Sequence, residues 1–229
     1  MAQLIWYVVL PLLSIFSMIP LESAVARPLK PLRASIPQHA KPLVILDPGH
    51  GGSDEGAKVN FFHEKRITLV TTLVLKKLLE AKDYRVILTR SRDVFVPLER
   101  RVSIANKTQA VIFVSIHYNA SHSTDAKGME VFYYKGRNAS RSQSSKHLAD
   151  NILSQLIKET EADSRGVKAG NFHVIRETDM PAVLVEGGFM TNKEERLLLR
   201  DKTYLNKVAS GIAEGIDQYL RKHSALTVH

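Results

Sequence analysis

The sequence predicts an α/β sandwich, a sheet covered by helices on both faces. Three observations carry that expectation. Short apolar runs with almost no polar break recur at residues 43–46, 110–116 and 182–185, as expected for strands buried on both sides. Segments of helical period lie between and after them, most plainly at 64–81 and 205–220. The 229-residue chain is 44% hydrophobic and 24% charged, a globular balance that excludes wholesale disorder, a collagen-like fibre and a polytopic membrane protein.

The elements follow in order. The run Leu43-Val44-Ile45-Leu46 is cut off by Asp47-Pro48-Gly49 and reads as a buried strand feeding a loop. Residues 64–81 carry apolar side chains at 67, 70, 74, 78 and 81, with 69, 73 and 75 beside them, which predicts a helix with a broad buried face. Residues 84–89 read as a second strand, 98–107 as a helix, 110–116 as a third strand and 128–134 as a strand with aromatics. A helix is expected over 146–158, then strands at 172–175 and 182–185. Thr191-Asn192-Lys193-Glu194 has the form of a capping box opening a helix. Leu205, Val208, Ala209, Ile212, Ile216, Tyr219 and Leu220 mark a long final helix.

The ends of the chain read differently. Residues 4–21 are almost all apolar, no base precedes Arg27, and small residues stand at −3 and −1 of a cut after Ala26. Residues 1–26 are therefore expected to be a secretory signal peptide, with an uncleaved anchor as the competing reading. Both place the rest outside the cytoplasm, secreted or periplasmic. Residues 27–41 hold Pro28, Pro31 and Pro37 among basic residues and read as a linker. One domain is expected over 42–222. The formal charge is +9, and loss of the leader removes a single acid, Glu22, to leave about +10. A basic surface suits an anionic partner. Nucleic acid is a poor candidate, because the chain leaves the compartment that holds it. There is no cysteine, which excludes disulfides, thiol nucleophiles and zinc fingers. Any metal must be held by His, Asp or Glu.

In open α/β sheets, ligands bind beyond the carboxyl ends of the strands. Three predicted strand ends carry chemistry: His50 after Asp47-Pro48-Gly49, His117 after Ser115-Ile116, and Glu186 after Val183-Leu184-Val185. Glu64 opens the first helix, where the loop after His50 returns. The glycines around His50 match neither phosphate-binding pattern. Glu186 directly after a buried run is costly unless it is paired or near a cation. Two His and one carboxylate with an open fourth position make a catalytic zinc site, and the remaining carboxylate can serve as base. Spacing leaves open which glutamate is ligand and which is base, and whether His63 is also a ligand. Asp47 is expected either to orient a ligand histidine or to cap the turn. Arg176 is expected either to hold a substrate carboxylate or to lie on the surface.

The motif Ile45-Leu46-Asp47-Pro48-Gly49-His50-Gly51-Gly52-Ser53-Asp54-Glu55-Gly56-Ala57 resembles the opening motif of the zinc-dependent N-acetylmuramoyl-L-alanine amidases, bacterial cell-wall hydrolases. The resemblance continues through His63-Glu64-Lys65, Thr89-Arg90-Ser91-Arg92-Asp93, Leu98-Glu99-Arg100-Arg101, Ser115-Ile116-His117-Tyr118-Asn119-Ala120, Ser164-Arg165-Gly166-Val167-Lys168 and Pro181 to Asn192. It implies a mixed six-stranded sheet flanked by helices in a three-layer sandwich. It implies His50, Glu64 and His117 as zinc ligands and Glu186 as the catalytic carboxylate. The implied reaction is hydrolysis of the amide between the lactyl group of N-acetylmuramic acid and L-alanine, in cell-wall remodelling and division. Peptidoglycan is the implied substrate, and the chain is expected to be a monomer.

Three departures from the family pattern stand out. Tyr118 occupies a position usually small, and Gly187-Gly188 replaces a larger residue plus Gly, a replacement that suggests a wider cleft. His63 adds an imidazole beside Glu64 and is expected either to modulate that ligand or to face solvent. Some division amidases carry a helix that plugs the metal site. Here residues 135–145 are polar, Ser-rich and too short for one, so no autoinhibitory helix and no obligatory activator protein are expected. A zinc carboxypeptidase on stem peptides and a non-catalytic wall-binding module are the rivals. A serine acyl-enzyme is disfavoured, because Lys168-Ala169-Gly170 has no Ser-x-x-Lys to accompany it.

Overall fold

The computed structural model describes residues 41–226, with side chains through residue 222. The expected leader, and nearly all of the expected linker, lie outside the described residues. The elements are β1 (Leu43–Pro48), β2 (Lys58–Val59), β3 (Phe62–His63), α1 (Glu64–Ala81), β4 (Arg85–Leu88), α2 (Leu98–Asn106) and β5 (Ile112–Asn119). They continue with β6 (Met129–Tyr133), α3 (Ala139–Thr160), β7 (Ser164–Ala169), α4 (His173–Arg176), β8 (Ala182–Phe189), α5 (Lys193–Leu198) and α6 (Lys202–Leu226).

Six strands form one mixed sheet in the order β4-β1-β5-β8-β6-β7, and β2 and β3 form a separate antiparallel hairpin. Strands β4, β1, β5 and β8 run parallel, β6 pairs antiparallel with β8, and β7 runs parallel to β6. Side chains alternate between the faces, so a fully buried strand feeds two cores. Val44 and Leu46 of β1 join Val114 and Ile116 of β5 and Val183 and Val185 of β8 under α1, α3 and α6. Ile45, Phe113 and Leu184 join Ala105 of α2 and Val174 and Ile175 of α4 on the other side. The three expected layers are present.

Four local expectations are corrected. The Ser-rich stretch 139–145 is not a loop but the first two turns of α3. Asn138 caps that helix by accepting from Arg141 N at 3.0 Å, and buried Ser145 accepts from Ala182 N at 3.0 Å, so serines rather than aliphatic residues face inward. Residues 172–175 do not form a strand: Phe172 precedes the one-turn helix α4, whose Val174 and Ile175 are buried. A short apolar run has the same composition in either conformation. Strand β7 was not anticipated, because an edge strand with a mostly exposed surface shows no apolar run. In α5, Asn192 is the cap in place of Thr191, and its side chain accepts from the backbone N of Glu194 and Glu195, both at 3.1 Å.

Helix α1 starts at Glu64 and ends at Ala81 as expected, but its buried face is rotated. Thr68, Thr71 and Thr72 face inward with Ile67, Leu75 and Leu79, while Val70 is 41% exposed. Each inward hydroxyl has an oxygen partner, Gly49 O, Tyr118 Oη and Thr68 O respectively, so burial leaves no polar group unpaired.

Candidate metal centre

Parallel and antiparallel register place His117, Glu186 and Glu130 in one row across the sheet, because His117 of β5 and Glu130 of β6 are the two Cα partners of Glu186 of β8. Residues paired this way point to the same face. His50 stands in the loop after β1, with φ of 60°. Glu64, the first residue of α1, is buried. Gly49 lies so close to His117 that a Cβ there would fall 2.3 Å from the imidazole Cε1, so only glycine lets the ring lie against this loop.

The four expected residues are thus brought to one end of the sheet. His50 Nε2 lies 3.1 Å from Glu64 Oε2, and His117 Nδ1 lies 2.9 Å from Glu64 Oε1. The imidazoles meet edge to face, with centroids 4.8 Å apart. The donor atoms of His50, Glu64 and His117 all lie within 4.8 Å of one another, a cluster able to hold a metal ion. Backbone N–H groups of Ala57 (2.8 Å) and Tyr118 (3.1 Å) donate to the Glu64 carboxylate and fix both of its oxygens. Burial pushes the Glu64 carboxyl up, but hydrogen bonds and charge from His117 and His50 outweigh it and hold the group well below the usual carboxylate range. Glu186 is the opposite case. Burial, reinforced by the charges of Glu64 and Glu130, holds it well above that range. Its Oε2 is buried without a hydrogen-bond partner.

Other residues prove to hold the site without having been assigned a role from sequence. Asp54 Oδ2 lies 2.9 Å from His50 Nδ1, which leaves Nε2 for the cluster. Arg101 donates to Pro48 O and His50 O, both at 2.7 Å, and Arg90 donates to Pro48 O (3.0 Å) and Gly49 O (2.7 Å). Two arginines therefore pin the backbone that carries His50. The sequence carries no local signal for either, because Arg90 stands among Thr89, Ser91 and Arg92, and Arg101 follows Glu99 and Arg100. Asp47 neither orients a histidine nor caps the turn. It is 1% exposed and accepts from Arg101 (2.7 Å), Thr89 (2.5 Å) and Ser115 (2.8 Å).

His63 lies outside the cluster, and it does not face solvent. Its side chain is mostly buried, with Nδ1 2.9 Å from Glu55 Oε1. Arg176 is engaged by Glu177 (2.6 Å) and Asn171 (2.7 Å). The expected wider cleft is also corrected. Gly187 follows Glu186 by one residue and so points to the opposite face, where it packs against Tyr118. Beside His50 and His117 a pocket of about 280 Å³ opens, walled by Phe95, Val96, Leu98 and Val174.

A family profile described as N-acetylmuramoyl-L-alanine amidase matches residues 44–218, most of the chain and all four site residues. The chain belongs to the N-acetylmuramoyl-L-alanine amidase family. Among curated relatives, it is 38% identical to the N-acetylmuramoyl-L-alanine amidase CwlM of Bacillus licheniformis over 76% of this chain, and 44% identical to an endolysin of Bacillus phage SPP1 over 78%. The chain spans 66% of the length of each of these two relatives. Among solved structures, the catalytic domain of the amidase CwlV from Bacillus (Paenibacillus) polymyxa matches with a TM-score of 0.73 at 39% identity, covering 79% of this chain and 98% of that one. The CwlD amidase of Clostridioides difficile, solved in complex with the GerS lipoprotein, matches with a TM-score of 0.75 at 34% identity, covering 80% and 100%. These likenesses extend to the mixed six-stranded sheet of the amidase family.

Proposed function

We propose that this family member is a zinc-dependent hydrolase of the amide between the lactyl group of N-acetylmuramic acid and L-alanine. The observation that carries the reading is the pairing of a His50–Glu64–His117 cluster with a separate buried carboxylate, Glu186, whose Oε2 has no partner. The donor set fits zinc: two imidazole nitrogens and one carboxylate is a catalytic zinc set that leaves a position free. Zinc bound there would acidify water and polarise the scissile carbonyl.

The chain's own residues do the rest. Asp54 orients the His50 imidazole through Nδ1. Arg90 and Arg101 fix the loop beneath His50. Glu186 takes the proton of the attacking water and returns it to the leaving L-alanine nitrogen. A carboxylate raised by burial and by Glu64 and Glu130 is a stronger proton acceptor than one in water, which suits that role. The apolar wall of Phe95, Val96, Leu98 and Val174 keeps one side of the cleft dry.

We read residues 1–26 as a leader, 27–41 as a linker and 42–222 as the catalytic domain, acting outside the cytoplasm as a monomer in wall remodelling, division included. No helix among the described residues is long and apolar enough to cross a membrane. Between β6 and α3 stand only residues 134–138, which supports activity without an autoinhibitory helix or an activator protein. The basic chain is held to an anionic wall by charge, so activity falls as salt rises.

The test is purified residues 27–229 on isolated sacculi with no other protein present, the released ends being identified by mass spectrometry. New lactyl carboxylates and free L-alanine amines are expected. Cleavage only within stem peptides would favour the carboxypeptidase reading. Binding with no cleavage at full zinc occupancy would favour a wall-binding module or a missing activator.

A further inference from the structure

Glu130 ends the row of paired residues that contains His117 and Glu186, and its carboxylate reaches on to side chains of the next strand. On β7, the next strand and the sheet's edge, Arg165 Nε lies 3.2 Å from Glu130 Oε2, and Lys168 Nζ reaches the same oxygen. Asn119 occupies the other oxygen at 2.7 Å. A buried carboxylate needs one cation, and Glu130, 4% exposed, has two. Both cationic side chains are partly open to solvent, at 36% and 41%. The Arg165 guanidinium also lies over the Phe189 ring, 4.8 Å from its centroid. Arg165 Nη1 reaches only Lys127 O, at 3.3 Å. The remaining N–H groups of both side chains have no protein acceptor among the described residues. Two like charges converging on one oxygen repel each other unless a second anion shares them.

We propose that Arg165 and Lys168 form a subsite for a carboxylate of the stem peptide, and so make this chain selective for stems with a free acid near the cleavage point. The inference rests on the amidase reading. Strands lie about 4.8 Å apart, which puts β7 roughly 10 Å from Glu186. An extended peptide covers about 7 Å in two residues, and the long Lys and Arg side chains span the remainder. The group that falls there is the α-carboxyl of the acidic residue after L-alanine, which cell walls carry either as the acid or as the carboxamide. The acid can accept from both cationic heads, whereas the carboxamide brings no charge and meets them with an N–H donor on one side.

The experiment uses two muropeptides that differ only in that group, free carboxylate or carboxamide, and compares kcat/KM for the wild-type chain, Lys168→Met and Arg165→Met. Each variant keeps one cation on Glu130, so that carboxylate is not left unpaired. The wild type should prefer the acid about tenfold, or about 1.4 kcal/mol, chiefly through KM. Each substitution should bring the acid-to-carboxamide ratio close to one, and Lys168→Arg should restore it. An equal rate on both substrates in the wild type, or variants that lose the same factor on each, would overturn the subsite while leaving the amidase reading intact. Cleavage of neither muropeptide by zinc-loaded wild type would overturn the amidase reading, and this inference with it.

Discussion

Tyr118 and Gly187 are packed as a complementary pair. A Cβ at position 187 would lie 2.8 Å from Tyr118 Cε1, and Tyr118 is 1% exposed. The phenol fills the space that a larger residue on β8 would take. Its hydroxyl meets Thr71 Oγ1 at 2.6 Å, and its backbone N–H meets Glu64 Oε1 at 3.1 Å. Tyr118 thus ties β5 to α1, the helix that begins with Glu64.

Gly187→Ala should therefore destabilise the fold by about 1–3 kcal/mol, the range for overfilling a packed core. Combining it with Tyr118→Ser should recover part of that loss, a coupling readable from urea unfolding of both single variants and the double. Strictly additive losses would mean that the two side chains do not share the space.

His50→Ala and His117→Ala should each lose nearly all bound zinc, because each removes one donor of the cluster. Glu186→Gln should keep zinc and fold but lower turnover by about 10²–10⁴-fold, the usual contribution of a positioned base. Metal analysis beside a rate assay separates the two. Should Glu186→Gln lose zinc while Glu64→Gln keeps it, the ligand and the base have been exchanged.

Arg101→Met leaves Asp47 buried and without its cation, since the pair is 2.7 Å apart and both side chains are at most 3% exposed. Breaking a buried pair from one side costs about 3–5 kcal/mol. The double variant Asp47→Asn/Arg101→Met should be less destabilised than Arg101→Met alone. Weaker zinc binding in both, measured by competition with a chelator, is expected because Arg101 also holds His50 O.

Asp217 of α6 offers a pH test away from the metal centre. Burial pushes its carboxyl up, but hydrogen bonds from Arg221 and from Tyr84 (2.8 Å), with the Lys82 charge, outweigh it and hold the group below its usual value. A carboxyl lowered by folding adds stability above its unfolded pKa of about 3.9 and loses it as pH falls through the folded value. The stability gap between wild type and Asp217→Asn should stay constant from about pH 7 to 5 and narrow below about pH 4. A gap that widens with acid would reverse the sign of the assignment.

The sequence by itself determined the layers and the location of the chemistry. Continuous apolar runs at β1, β5 and β8 require burial on both faces. A polar residue ending such a run marks the carboxyl half of its strand: His117 and Glu186 stand within β5 and β8, which run on to Asn119 and Phe189, and His50 stands in the loop after β1. What it did not determine were features set by neighbours distant in the chain. Edge strand β7 has no apolar run because only one side of it is covered. The serines of α3 are inward because β8 and the preceding loop supply their partners. The threonines of α1 are buried because Gly49 O and Tyr118 Oη are there to receive them. Arg90 and Arg101 read as ordinary charges until the fold sets them against the carbonyls of residues 48–50. Gly187 read as a gap in the cleft because its facing was unknown. Burial leaves a one-dimensional signature in apolar spacing, whereas a hydrogen bond or steric fit between residues 70 apart is specified only once the tertiary structure brings them together.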